Sequence, residues 1–261
     1  MCLSECETVN QMAPLQKDEG APDKLSAAIA AESLRAQRIA SALASGGISS
    51  NIIYGRVIEI IQSLHLTGHV LDFGCGIGNL LQLLLESKRF NRVTGIDLVE
   101  KPERIPTGIQ YLSADLNADI TKLGAEEFDL ICAVEIIEHL ENPRHAFREF
   151  SRMLKYSGTL IVTTPNNLSI RSMASLLLRG WFSAFGDESY PAHITALLKI
   201  DLLRIATENG FIQHSFFYTN SGYIPRTQIK WQDIAPWFKG RLFSDNLIFV
   251  CTKRARETPT D

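Results

Sequence analysis

Long apolar runs are missing from this 261-residue chain; none approaches the roughly 18 to 20 residues that a membrane-spanning helix needs. The first thirty residues also lack the basic start and apolar core of an export signal, so a cytoplasmic location is expected. Cysteine is scarce and unpatterned: Cys2, Cys6, Cys75, Cys132 and Cys251 show no C-x-x-C spacing, which argues against both structural zinc and a disulfide framework. Neither sign of charge dominates. A formal net charge of −3 with 21% charged residues implies neither a polyanion binder nor a disordered chain. Internal repeats and low-complexity tracts are absent. With 45% hydrophobic residues at this length, one principal α/β domain with modest additions is expected.

What the chain does have is Val70 to Leu80, V-L-D-F-G-C-G-I-G-N-L. It reads as buried strand, tight turn and helix. Glycines at 74, 76 and 78 permit positive φ and let a ligand lie on the backbone, while the helix behind offers free N–H groups. A dinucleotide fingerprint would need glycine where Asn79 stands, and no Gly-Lys-Ser/Thr triplet follows, which disfavours NAD, FAD and a Walker-type ATP site. A carboxylate at Asp72 would repel a pyrophosphate but suits a ligand with an ammonium group, such as S-adenosylmethionine. Cys75, inside the turn, reads as a small side chain beside the ligand.

Residues 1–22 read as a mobile tail, 23–48 as a helical extension running to about Ala44, and 254–261 as a second tail. Ser50 opens a helix in which Ile52, Ile53, Val57, Ile60, Ile61 and Leu64 recur on one face. Strands are expected at 92–97, 109–116, 128–134, 158–165, 211–219 and 247–252. A helix from Pro143 should turn Phe147, Phe150, Met153 and Leu154 inward, and Thr195 should cap another reaching Asn209. Apolar strands alternating with helices imply a parallel sheet in an α/β fold. Two insertions, 166–194 and 220–244, interrupt the pattern; their aromatics, Trp181, Phe182, Phe185, Trp231 and Trp237 among them, can wall an acceptor pocket or anchor long loops.

Together with V-T-G-I-D at 93–97, A-D-L at 114–116, F-D-L-I at 128–131 and L-K-Y-S-G-T-L-I-V-T-T-P-N at 154–166, the glycine turn resembles the class I S-adenosylmethionine-dependent methyltransferases over about residues 50 to 253. The resemblance implies a Rossmann-like, seven-stranded sheet in the order 3-2-1-4-5-7-6. It also implies that Gly74 and Gly76 lie against the methionine part with Asp72 near its ammonium group. Asp97, with Leu98 beside it, would hold the ribose hydroxyls; Asp115 and the backbone of Leu116 would meet the adenine; and Val134 or Glu135 would line the site.

Methyl transfer needs alignment of acceptor, methyl and sulfur, and a means of deprotonating an oxygen acceptor. Glu135, Glu138 and His139 follow strand four at i, i+3 and i+4, one face of a helix. His139 near its ordinary pKa could act as general base, or the trio could hold Mg²⁺ or another divalent ion. Alternatively, the two glutamates complement a helix dipole and His139 packs. E-I-I-E-H-L-E-N-P, 135–143, resembles the ubiquinone-biosynthesis O-methyltransferases and, more distantly, the small-RNA 2′-O-methyltransferases. That resemblance implies a divalent metal on Glu135, Glu138 and His139, with His193 of P-A-H-I as the position matching a further histidine of the RNA enzymes.

A small-molecule acceptor methylated on oxygen is therefore expected: a phenol, quinone precursor, sugar or lipid-linked compound. The alternatives are an RNA 2′-O-methyltransferase and a non-catalytic S-adenosylmethionine-binding protein. RNA is disfavoured by the charge balance, although Arg144, Arg148, Arg152 and Lys155 form an i, i+4 stripe that could meet phosphates. The resemblance also implies a peripheral membrane contact through 171–185.

Overall fold

The computed structural model describes residues 49–118 and 120–256, with scattered helical positions between 26 and 40. The chain divides into two units, 1–36 and 37–261. In the first, Ser26, Ile29, Glu32, Ser33 and Ala36 are helical, within the segment expected to be helix; its expected ends, and the tail at 1–22, lie outside the described residues.

In the second unit the order is α1 (Asn51–Ser63), β1 (Gly68–Phe73), α2 (Asn79–Glu86), β2 (Phe90–Asp97), β3 (Gln110–Ser113), β4 (Phe128–Val134), α3 (Pro143–Met153), β5 (Leu154–Pro165), α4 (Ile170–Arg179), α5 (Lys199–Glu208), β6 (Phe211–Tyr218), α6 (Trp231–Ile234) and β7 (Asn246–Lys253). The strands form one sheet in the order β3-β2-β1-β4-β5-β7-β6. Strands β1 to β5 run parallel, and β7 pairs antiparallel with both β5 and β6. This is the expected class I methyltransferase topology.

Alternation along the strands divides the core. Val70, Leu130, Cys132, Ile161, Ile248 and Val250 pack with Ile53, Val57, Ile60 and Ile61 of α1 and Leu80, Leu81 and Leu84 of α2. Leu71, Phe73, Ile131, Ala133, Leu160, Val162 and Phe249 pack with Phe147 and Phe150 of α3 and Leu202 and Ile205 of α5 on the other face. Every central strand is thus apolar on both sides, which is why its sequence reads as a run rather than an alternation.

Local expectations fail where side-chain bonds compete with pattern. Ile52 and Leu64 are exposed: Ile52 lies a quarter-turn, roughly 100°, round from Ile53, and Leu64 is the non-helical residue after the last turn. Leu154 belongs to β5, not to the preceding helix. β3 stops at Ser113, short of Asp115. Thr195 does not cap α5, which begins at Lys199; Asp201 Oδ2 accepts from Leu198 N at 2.9 Å instead, and Thr195 Oγ1 donates to Leu140 O at 2.7 Å. Among the described residues no helix is long and apolar enough to cross a membrane.

Candidate functional site

The glycine turn leaves β1 at the sheet's carboxyl edge, where parallel α/β sheets bind ligands. Gly74, Gly76 and Gly78 have φ of 79°, 52° and 90°, and Gly74 N and Cys75 N both donate to Ile96 O, tying the turn to β2. A Cβ on Gly74 would meet Ile136 Cγ1 at 2.6 Å. The turn therefore rests directly against the segment that follows β4, and glycine is required by both φ and space.

Two of the carboxylates expected to hold the cofactor, Asp72 and Asp97, meet at this turn. Asp97 Oδ2 accepts from Gly76 N at 2.7 Å and its Oδ1 from Val99 N at 3.3 Å, so it orders the turn while retaining lone pairs for hydroxyl donors. Asp72 is buried, with Oδ2 lacking any hydrogen-bond partner. Burial, then the charge of Asp97, pushes its carboxyl well above the usual range. An ammonium group is the partner such an orphaned acid lacks. Burial likewise raises the Cys75 thiol, with Asp72 and Asp97 adding to the effect, which leaves no thiolate for chemistry. Leu98 O accepts from Ser113 Oγ at 3.5 Å. Asp115 Oδ1 accepts from Asn117 N at 3.0 Å in the turn after β3. Leu116 and Val134 are buried.

The segment after β4 is not the helix its spacing suggested. Glu135 has φ of 51°, and only Ile137–His139 form a 3₁₀ turn. Thr163 explains the departure: its Oγ1 accepts from Glu135 N at 2.9 Å and donates to Glu135 Oε1 at 2.7 Å. Asn246 Nδ2 donates to Glu135 Oε2 at 2.8 Å. Burial lifts this carboxyl to about 7, against the lowering effect of Thr163 and Asn246.

Glu138, His139 and His193 do come together, with one donor atom from each lying within 4.8 Å of the others. Glu135 is not in that group. Glu138 is fully buried, and neither carboxylate oxygen makes a well-formed hydrogen bond; burial, then the Glu135 charge, pushes its carboxyl well up, against a weaker lowering by its own backbone N–H and the nearby Thr164 hydroxyl. His139 Nδ1 lies 2.8 Å from Ala192 O and His193 Nδ1 lies 2.6 Å from Ala184 O. Carbonyls only accept, so both rings carry the proton on Nδ1 and present an Nε2 lone pair. Burial and then His193 lower His139 to about 4, and burial lowers His193. His139 therefore does not keep its ordinary pKa. Two neutral imidazoles oriented by backbone carbonyls, beside a carboxylate with unused oxygens, match the donor set of a divalent transition metal.

Several contributing residues carried no sequence signal. Tyr54 of α1 is buried near Asp72 and Glu135, whose charges raise its pKa after burial, and its hydroxyl accepts from Ser49 N at 2.9 Å. Thr163 and Asn246 sit at the ends of β5 and β7, where only sheet pairing could bring them to Glu135. The first insertion delivers His193 with Phe185 packed on its ring, centroids 5.5 Å apart. In the second, Trp231, Phe238 and Phe243 pack together, but Trp237 projects outward, 76% exposed, rather than walling a pocket. The basic stripe is largely neutralised: Arg144 pairs with Glu208, Arg152 with Glu149 and Lys155 with Asp129.

A family described as a methyltransferase domain matches residues 28–219. A ubiquinone biosynthesis O-methyltransferase of Dechloromonas aromatica is 33% identical over 120 residues, 42% of this chain and 50% of that protein. The chain thus spans about half the length of the curated relatives it matches. Among solved structures, an S-adenosylmethionine-dependent methyltransferase from Archaeoglobus fulgidus aligns with a TM-score of 0.57 at 19% identity, covering 78% of this chain and 95% of that one. A possible histamine N-methyltransferase from Thermotoga maritima aligns at 0.54 and 17%, covering 77% and 89%. The chain belongs to the methyltransferase domain family, and its fold is that of the class I S-adenosylmethionine-dependent methyltransferases.

Proposed function

We propose that the protein transfers a methyl group from S-adenosylmethionine to an oxygen of a small-molecule acceptor, assisted by a divalent metal on Glu138, His139 and His193. The observation that carries the metal assignment is the buried Glu138 carboxylate, without a well-formed hydrogen bond beside two imidazoles whose Nδ1 protons are already committed. Identity to ubiquinone biosynthesis O-methyltransferases supports oxygen as the acceptor. S-adenosylmethionine supplies a methyl group already activated on a sulfonium, so the protein's own residues have to position and deprotonate. Asp72 meets the ammonium group, Asp97 the ribose hydroxyls, and Asp115 with Leu116 the adenine, while Val134 lines the site. A divalent cation, when bound, lowers the pKa of a coordinated hydroxyl. The depressed pKa of His139 makes it a poor proton acceptor at neutral pH, which favours the ligand role over that of general base. Glu135, clamped by Thr163 and Asn246 and next in the chain to Ile136, which packs on Gly74, is the group that orients the acceptor.

An RNA 2′-hydroxyl is the second reading, since the same cluster suits it; the ion-paired stripe weakens it. The exposed Leu177 and Leu178 of α4 support a lipid contact through 171–185. An acceptor screen with labelled cofactor, covering phenols, sugars, lipids and RNA, with and without EDTA, tests the proposal. Labelled phenol or lipid that is lost on chelation is the expected result, and full activity in EDTA would remove the metal from it. Failure to bind S-adenosylhomocysteine at millimolar concentration would defeat the enzyme reading.

A further inference from the structure

The amino edge of the sheet, opposite the glycine turn, gathers groups that the methyl-transfer site does not use. β5 and β6 begin there and β7 ends there, because β7 runs antiparallel to both. Beside these strand ends lies a cavity of about 340 Å³, with Ser151, Tyr156, Gly210, Lys253, Arg254 and Arg256 in its lining. The backbone carrying its cations is fixed: Lys253 pairs with Phe211 between β7 and β6, and Arg254 N donates to Gly210 O at 3.0 Å. Two of the side chains converge on Tyr156. Lys253 Nζ lies 4.5 Å and Arg256 Cζ 5.6 Å from the centroid of its ring.

The cations around this opening lack the acids that usually answer them. Lys253, Arg254 and Arg256 are in no ion pair among the described residues, and both arginines are exposed. Lys253 Nζ donates to Leu154 O at 2.8 Å, which uses one of the three donors of an ammonium group. Burial lowers its pKa, against a raising effect of Glu126, and an anion in the cavity would favour the charged form. Arg148 adds a further cation one helical turn before Ser151, on the same face of α3. It is exposed and, unlike Arg144, Arg152 and Lys155, in no ion pair among the described residues.

Guanidinium forks match phosphate oxygens in geometry as well as charge. The volume stands at the small end of the range for ligand sites, and a single aromatic ring lines it. A nucleic-acid strand would instead call for a groove with successive stacking platforms. We propose that this amino-edge cavity is a second binding site, for a phosphate-bearing small molecule, with Arg254 and Arg256 meeting the phosphate and Lys253 and Tyr156 forming its wall. The site lies at the far end of β5 from the glycine turn, so its ligand is neither the methyl donor nor the acceptor.

Calorimetry of the full chain with inorganic pyrophosphate in EDTA tests it, the chelator excluding a metal bridge at Glu138, His139 and His193. Binding with a Kd of about 1 mM or tighter is expected, weakening as salt rises from about 0.05 to 0.5 M. R254E/R256E should weaken it about tenfold or more, the effect of losing charge-assisted contacts. R226E/K239E makes the same change of charge on the insertion at the opposite edge and should stay within about twofold of the native chain. Saturation with S-adenosylhomocysteine should likewise leave pyrophosphate binding within about twofold. The S-adenosylhomocysteine affinity of each variant reports whether the fold is intact, and both variants alter only exposed groups. No binding at about 10 mM pyrophosphate, equal losses in the two charge variants, or competition by S-adenosylhomocysteine would each overturn the proposal. A single-stranded oligonucleotide that binds more tightly than pyrophosphate and is lost in R254E/R256E would overturn it in favour of nucleic acid.

Discussion

His139 and His193, 54 positions apart, meet edge to face with ring centroids 4.7 Å apart, and each ring is turned by a backbone carbonyl so that its Nε2 is left unbonded. Glu138 completes the group. His139 arrives on the turn after β4 and His193 on the first insertion, which Glu138 itself secures: its carbonyl accepts from Ile194 N and Thr195 N, both at 3.0 Å. Glu138 therefore both contributes its carboxylate to the cluster and anchors the end of the insertion that carries His193.

Mn²⁺ titration should separate ligands from neighbours. Glu138→Gln and His193→Ala each remove a donor and should lower affinity by at least about tenfold, as even the loss of an orienting partner does. Glu135→Gln should change it less than about threefold, because both oxygens of Glu135 are already bonded to Thr163 and Asn246. Isothermal calorimetry checks this without a known acceptor. Equal losses at 135 and 138 would place Glu135 among the ligands.

Cofactor binding should release a proton. Burial, then the charge of Asp97, pushes the Asp72 carboxyl well above the usual range, and an ammonium group favours its ionised form. Calorimetry of S-adenosylhomocysteine in buffers of different ionisation enthalpy should read release of up to about one proton at neutral pH. Asp72→Asn should abolish the release and weaken binding about tenfold or more, the effect of losing one charge-assisted contact.

Gly74→Ala should affect both halves of the site. Its φ of 79° and the 2.6 Å approach of Ile136 leave no room for a methyl group, and strain of about 1 to 3 kcal/mol is expected. A lower unfolding midpoint together with weakened S-adenosylhomocysteine binding is the expected outcome, whereas Gly180→Ala, strained by a φ of 87° but with open space around it, should lower the midpoint and leave binding unchanged.

Acid should destabilise the chain through His69, far from these groups. Buried in β1 with its Nε2 2.8 Å from Thr94 Oγ1, His69 has its pKa lowered below 6.5 by burial first and by Arg92 next. The unfolded chain then binds more protons than the folded one below about pH 6.5, so stability is full above that value and is lost as pH falls through the folded pKa. Asp129, lowered below its usual 3.8 by His69 N and Lys155, continues the loss at still lower pH. Because Glu135, Glu138 and Asp72 are shifted up and His139 and His193 down, the contribution of His69 is read as a difference: the gap in urea midpoint between the native chain and His69→Gln should shift against the native chain as pH falls from about 7.5 to 5.

Asn246→Ala should loosen the acceptor side without dismantling the sheet. Removing its 2.8 Å bond to Glu135 should cost about 1 to 3 kcal/mol and raise acceptor KM more than it changes cofactor affinity. Unaltered stability and KM would show that the bond orients nothing.

The local sequence by itself determined the buried strands and the glycine turn. Apolar runs such as Val70–Phe73 and Leu130–Val134 can only be buried on both faces, and Gly74, Gly76 and Gly78 mark a backbone that side chains would obstruct. Those are properties of neighbours in the chain. What only the tertiary structure decided depends on partners far apart in it. Thr163 and Asn246 pull Glu135 out of the helical spacing it shares with Glu138 and His139, and the first insertion sets His193 beside them. Trp231 and Trp237, identical in sequence appearance, part company because Phe238 and Phe243 fill one side of their segment and leave the other to water. No periodicity encodes such choices; they follow from which side chains reach each other once the strands have paired.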